Sequence, residues 1–153
     1  MTHDGECAAS WTGVQAATIS VAGAISGAAN NRETHLHPKT KYVFTAGLDI
    51  DPAKEALFNE IYDTEHVPFL LKVPGVLAVT RATNEPQPKM RIDGKTATLS
   101  AEGEPKYSAI YELESADVLL SDAWASAVDQ GRWPQEIRPY VRARRHTLKK
   151  VMS

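Results

Sequence analysis

Apolar side chains recur with a period of two over residues 42–50, placing Tyr42, Phe44, Ala46, Leu48 and Ile50 on one face of an expected strand. Asp51-Pro52 supplies an N-cap with proline at the first helical position, and Ala56, Leu57 and Ile61 follow at helical spacing, so a helix is expected to about residue 63. Pro68 lacks a backbone donor and biases Val67 away from helical angles. A kink or restart is therefore expected within 64–68, before Phe69, Leu70 and Leu71 run to Pro74-Gly75. Residues 76–83 read as a second strand and 107–113 as a third, with Tyr107, Ala109, Tyr111 and Leu113 on one face. Residues 118–128 place Leu119, Leu120, Ala123, Trp124, Ala127 and Val128 on one helical face, and Gly131 is positioned to end that helix. A closing strand is expected from 137 to about 147.

Residues 84–106 are rich in proline, charge and turn formers and form an insertion. Asp93-Gly94 predicts a protruding hairpin that joins 89–92 to 96–99. Without it the order is β-α-β-β-α-β, which is an α+β, ferredoxin-like arrangement: a four-stranded antiparallel sheet with two helices on one face. The other face carries a mixed set, including Val43, Thr45, Ser108 and Ile110, that is not plainly made for water. A second copy covering it is expected, giving a homodimer through the helix-free face.

The chain has 153 residues, 42% hydrophobic and 24% charged, with 17 basic against 19 acidic side chains and a formal net charge of −2. That is the composition of one soluble domain, and it offers no overall basic field for nucleic acid. The single cysteine, Cys7, rules out an intrachain disulfide and multi-cysteine zinc patterns, which fits a cytoplasmic setting. Residues 1–40 read as a flexible low-complexity extension. Their stretch 11–29 is mostly alanine broken by Thr12, Gln15, Thr18, Ser20 and Ser26 and is preceded by Asp4 and Glu6, which suits neither a membrane span nor a secretory signal. The domain itself is expected over 41–150. Phosphate-binding, nucleophile-elbow and dinucleotide fingerprints do not occur, so phosphoryl transfer, serine hydrolysis and nicotinamide chemistry are not expected.

His66 stands out chemically. It falls at the expected helix break beside Asp63 and Glu65, where a carboxylate could orient the imidazole as a proton donor or acceptor near neutral pH. Its competing role is structural, as a cap on backbone carbonyls or a bond to a neighbouring chain. Tyr62 could add a phenolic hydrogen bond, or simply pack. His35-x-His37 is a fragment of a metal site with no third ligand, so no metal is expected. The charges are uneven: the first helix is acidic, whereas Arg138, Arg142, Arg144, Arg145, Lys149 and Lys150 make the last strand basic. Arg142, Arg144 and His146 share a face there, so an arginine could reach a substrate carboxylate, phenolate or enolate. Arg81 is a similar candidate, and Trp124 and Trp133 are candidate pocket walls.

Three segments resemble the dimeric α/β-barrel superfamily, and within it the EthD-like proteins: Tyr42-Val43-Phe44-Thr45-Ala46-Gly47, then Ile61-Tyr62-Asp63-Thr64-Glu65-His66-Val67-Pro68 with Val73-Pro74-Gly75-Val76, and Pro105 through Leu113. The resemblance implies a cavity used elsewhere by cofactor-free monooxygenases, cyclases, dehydratases, decarboxylases, isomerases and haem-degrading proteins. On that footing His66, Tyr62 and Asp63 are the candidate catalytic residues. Phe44, Arg81, Tyr107, Tyr111, Trp133 and Arg142 are the candidate substrate contacts, with a small-molecule ligand and no cofactor. Two alternatives stand beside this: a haem-linked or oxygen-using protein, and a non-catalytic homodimer that binds a ligand.

Overall fold

The computed structural model of the protein describes residues 36–152. The expected extension lies outside them up to residue 35, and with it the first half of the His35-x-His37 pair. Strands β1 (Tyr42–Ile50), β2 (Val76–Thr83), β5 (Tyr107–Leu113) and β6 (Val141–Lys150) form one antiparallel sheet in the order β2-β5-β1-β6. This is the ferredoxin-like order with the insertion set aside. The insertion forms its own ribbon, β3 (Lys89–Ile92) and β4 (Lys95–Thr98), turned at Asp93-Gly94 with positive φ at both residues, as the dipeptide predicts.

The helical layer departs from simple expectation in a way that matters for function. Asp51 caps the first turn by accepting from the Ala53 N–H, and a short 3-10 turn, Pro52–Lys54, leads into α1 (Glu55–Ile61). The expected break does not occur: Val67 keeps helical angles (φ −61°, ψ −48°), residues Tyr62–His66 form a π turn in which Val67 N–H reaches back five residues to the Tyr62 carbonyl, and the helix continues as α2 (Val67–Leu71). Widening the turn accommodates Pro68, which cannot donate to an α-helical ladder. Phe58 and Ile61 form the buried stripe of α1, while Ala56 faces water.

The second helix is shorter than expected. Residues Ala116–Leu120 form a 3-10 turn, Ser121 then caps Trp124 N–H, and α3 runs Asp122–Val128. The cap resets the helical phase, so Leu120 is 85% exposed rather than on the core face, and Ala123 is exposed as well. A second π turn, Trp133–Ile137, and a 3-10 turn, Arg138–Tyr140, occupy the region expected to begin the last strand. Pro134 and Pro139 sit at the second position of these turns, where their fixed φ suits a helical start, and β6 runs from Val141 to Lys150.

The face of the sheet carrying Ala46, Leu48, Ala109, Tyr111 and Leu113 packs on the helices and is the core. The opposite face is partly covered by the protein's own chain. Glu112 accepts from His37 N–H and the Thr40 hydroxyl, both at 2.7 Å, which fastens residues 37–40 to the sheet. At the other end Pro105 lies over Gly47, where a side chain would collide with the Arg145 carbonyl and the proline ring.

Candidate functional site

A cavity of about 200 Å³ lies between the sheet and the helical layer, toward the β6 edge. The sheet contributes Phe44 and Leu48 from β1, Tyr111 from β5, and Arg144 and His146 from β6. The two π turns meet in one wall of it. One supplies Tyr62 and His66, the other supplies Trp133, and Arg138 follows directly after. Trp124 and Val128 of α3 complete the wall.

His66 is buried and makes two aromatic contacts, stacked on Trp133 with ring centres 4.4 Å apart and edge-on to Tyr62 at 4.9 Å. Its Nδ1 is enclosed and has no hydrogen-bond partner among the described residues. Burial pushes its pKa down from 6.5 to about 4, and the nearby positive charges of Arg138 and Arg81 act in the same direction. The imidazole is neutral at neutral pH. The expected carboxylate partner is absent: Asp63 pairs with Arg81 at 2.6 Å, and Glu65 pairs with Arg132. Both acids point out of the π turn on the side away from the cavity lining, so Asp63 is not brought to His66.

Tyr62 and Tyr111 join hydroxyl to hydroxyl at 2.9 Å. Burial raises both phenols, Tyr62 to about 12 and Tyr111 well above its ordinary value, so both stay protonated. Two hydroxyl protons and one bond between them leave one O–H available to a ligand.

Of the substrate contacts expected from sequence, Phe44, Tyr111 and Trp133 line this cavity. Arg81, Tyr107 and Arg142 do not. Arg81 bonds Asp63 and Asn59 and lies over the outer face of the Tyr62 ring at 4.6 Å, so it backs the wall without entering. Tyr107 packs under Phe58, and Arg142 pairs with Asp51. The sequence had grouped Arg142 with Arg144 and His146, but the β1–β6 register slips between Asp49 and Ile50, leaving Arg142 without a β1 partner. His146 pairs with Ala46 and Arg144 with Leu48, which puts these two on the helix-packed side. Arg138 was assigned to the strand; it instead follows the second π turn and is held by Asp129 and the Val128 carbonyl.

Among the described residues no group of three His, Cys, Asp or Glu side chains could hold a metal ion. Haem needs an axial side chain that faces a volume large enough for a macrocycle. His66 lies flat against Trp133 in a cavity of about 200 Å³, and these residues do not fit that group.

Fold and cavity together define a class: a ferredoxin-like α+β domain whose sheet and helices enclose an aromatic, positively rimmed cavity. No family model matches the sequence. No curated protein matches it either. Among solved structures, the chain is similar to an EthD family protein of Bacillus halodurans, with 18% identity over 73% of this chain and 99% of that one and a TM-score of 0.45. It is also similar to the ActVA-Orf6 monooxygenase of Streptomyces coelicolor, solved with nanaomycin D, at 15% identity over 76% and 92% and a TM-score of 0.47. A NIPSNAP family protein of unknown function from Agrobacterium tumefaciens is similar at 10% identity over 76% and 92%, with a TM-score of 0.41. No helix among the described residues is long and apolar enough to cross a membrane.

Proposed function

We propose that the protein is a small cofactor-free enzyme acting by acid/base chemistry on a compact aromatic or polyketide-like carbonyl compound. The observation that carries this reading is His66: a neutral, buried imidazole in the wall of an aromatic cavity whose Nδ1 has no hydrogen-bond partner among the described residues. A histidine held neutral can take the α-proton of the ligand at its unpartnered Nδ1 and, as the imidazolium, return it to the carbon or donate it to the enolate oxygen. The spare Tyr62–Tyr111 hydroxyl adds a second donor, and the Arg138 and Arg144 guanidinium groups favour negative charge developing on an enolate. The test is exchange of the α-protons of 2-tetralone with deuterated water, followed by NMR. The wild-type protein should accelerate exchange, and His66→Ala should lower that acceleration by about 100-fold. Binding of 2-tetralone without accelerated exchange would favour the non-catalytic ligand-binding alternative and end the enzymatic one.

The same proposal includes a homodimer through the helix-free face of the sheet. What supports it is the half-buried set at the centre of that face, Val43, Thr45, Ile110 and Thr147, flanked by the self-covered patches at Glu112 and Gly47. Sedimentation of the full chain should give a dimer at micromolar concentration, and Ile110→Arg should shift it to monomer. A wild-type monomer would sink this part of the reading while leaving the cavity untouched.

A further inference from the structure

The charges around the cavity are one-sided. Its lining includes two arginines and two histidines but no Asp or Glu. Arg138 is already matched, because Asp129 and the Val128 carbonyl bind its guanidinium. On β6, Arg142 is matched by Asp51 and Arg145 by Glu104. Arg144, between them, has no ion pair or hydrogen bond among the described residues, and it is the one arginine of the strand that lines the cavity. Three cations with acceptors and a fourth left open at an aromatic cavity is the arrangement expected where the missing anion comes with the ligand. Guanidinium is suited to this, since its planar fork matches the two oxygens of a carboxylate.

Resting on the cavity reading above, we infer that the ligand is a compact aromatic acid, with its ring packed against the aromatic wall of Phe44, Trp124 and Trp133 and its carboxylate held at the mouth by Arg144. Arg144 is then the residue that determines specificity for acid over neutral ligand. The polar interior, His66 and the Tyr62–Tyr111 pair, is left free for a second oxygen on the ring system. Arg138 contributes positive potential from its fixed position on Asp129.

The test is calorimetric titration of the full chain with 2-naphthoate and with its neutral counterpart, 2-naphthamide. Naphthoate should bind at least about tenfold more tightly than the amide, the scale of one charge-assisted contact. Arg144→Gln should erase that preference by weakening naphthoate binding to the level of the amide. Arg142→Gln removes the same charge from the same strand, away from the cavity, and should preserve the preference. Equal affinity of the wild type for acid and amide would overturn the inference while the cavity reading stands. An Arg142→Gln loss as large as that of Arg144→Gln would overturn it too, because a general field and not a contact would be responsible. Binding of neither compound would fail both readings together.

Discussion

Acidification should destabilise the fold by about 3 kcal/mol through His66 alone, in a window set by its pKa of 6.5 when free and about 4 when folded. Above the upper value the imidazole is neutral in both states and contributes no pH dependence. Between the two values the unfolded chain binds a proton that the folded one refuses, so stability falls as the pH drops. Below about 4 both states are protonated and this contribution is fully lost. By pH 5 the loss should already be about 2 kcal/mol. The lowered carboxylates behave differently: Asp51, Glu55 and Glu65 lose their stabilising contacts only when the pH falls through the carboxylate range, beneath most of the histidine window. Urea unfolding at pH 7 and pH 5 separates the two. His66→Phe, which keeps an aromatic ring against Trp133, should show little change between these pH values. An equally steep decline in the variant would mean that the imidazole is not held neutral in the folded protein.

Gly131→Ala should cost about 2 to 3 kcal/mol, or roughly 10 °C in melting temperature for a domain of this size. The residue has φ +69°, which an L side chain rarely adopts, and an added methyl would meet the Phe69 ring at 2.9 Å and collide with the Glu65 carboxylate. That carboxylate is the clamp between the two π turns: it accepts from Arg132 N–H at 2.9 Å and from Arg132 Nε at 2.6 Å. Hydrogen bonds from Arg132 hold Glu65 below its usual pKa, so it remains charged and paired at neutral pH. Displacing it moves the residue next to His66, and ligand binding should weaken along with stability. Gly94→Ala is the internal control. Its φ is +72° but no atom lies within 4 Å of the new methyl, so it should lose only the backbone part, about 1 kcal/mol. Equal melting temperatures for the two variants would remove the clamp from the account.

Hydrophobic period and turn chemistry were enough to locate β1, β2, β5 and the inserted ribbon, because each depends on contacts within a few residues: alternation across a pleat, or the positive φ that Asp93-Gly94 tolerates. The ferredoxin-like order followed from the succession of those elements. Helical phase was harder to read. A serine at 121 resets the face of α3, and the prolines at 134 and 139 turn an expected strand start into helical turns, so the fate of Leu120 and Arg138 depended on which local option the packing selected.

The candidate site divides along the same line. Phe44 and Tyr111 were legible because the period of two already marked their face, whereas Tyr62, His66 and Trp133 stood out only as chemically distinctive residues. Choosing Arg144 over Arg142 was not possible from sequence, since the slip of register between Asp49 and Ile50 drops Arg142 from the ladder while Arg144 stays opposite Leu48, and register is set by pairing between strands far apart in the chain. The protonation state of His66 was equally out of reach. Its sequence neighbours Asp63 and Glu65 suggested a charged partner, yet both are claimed by Arg81 and Arg132, and what surrounds the ring is Trp133 and Tyr62. Sequence by itself determined the elements and the residues with chemical potential; tertiary structure decided which of them share a cavity and what charge they carry there, because desolvation and long-range pairing exist only once the chain has folded.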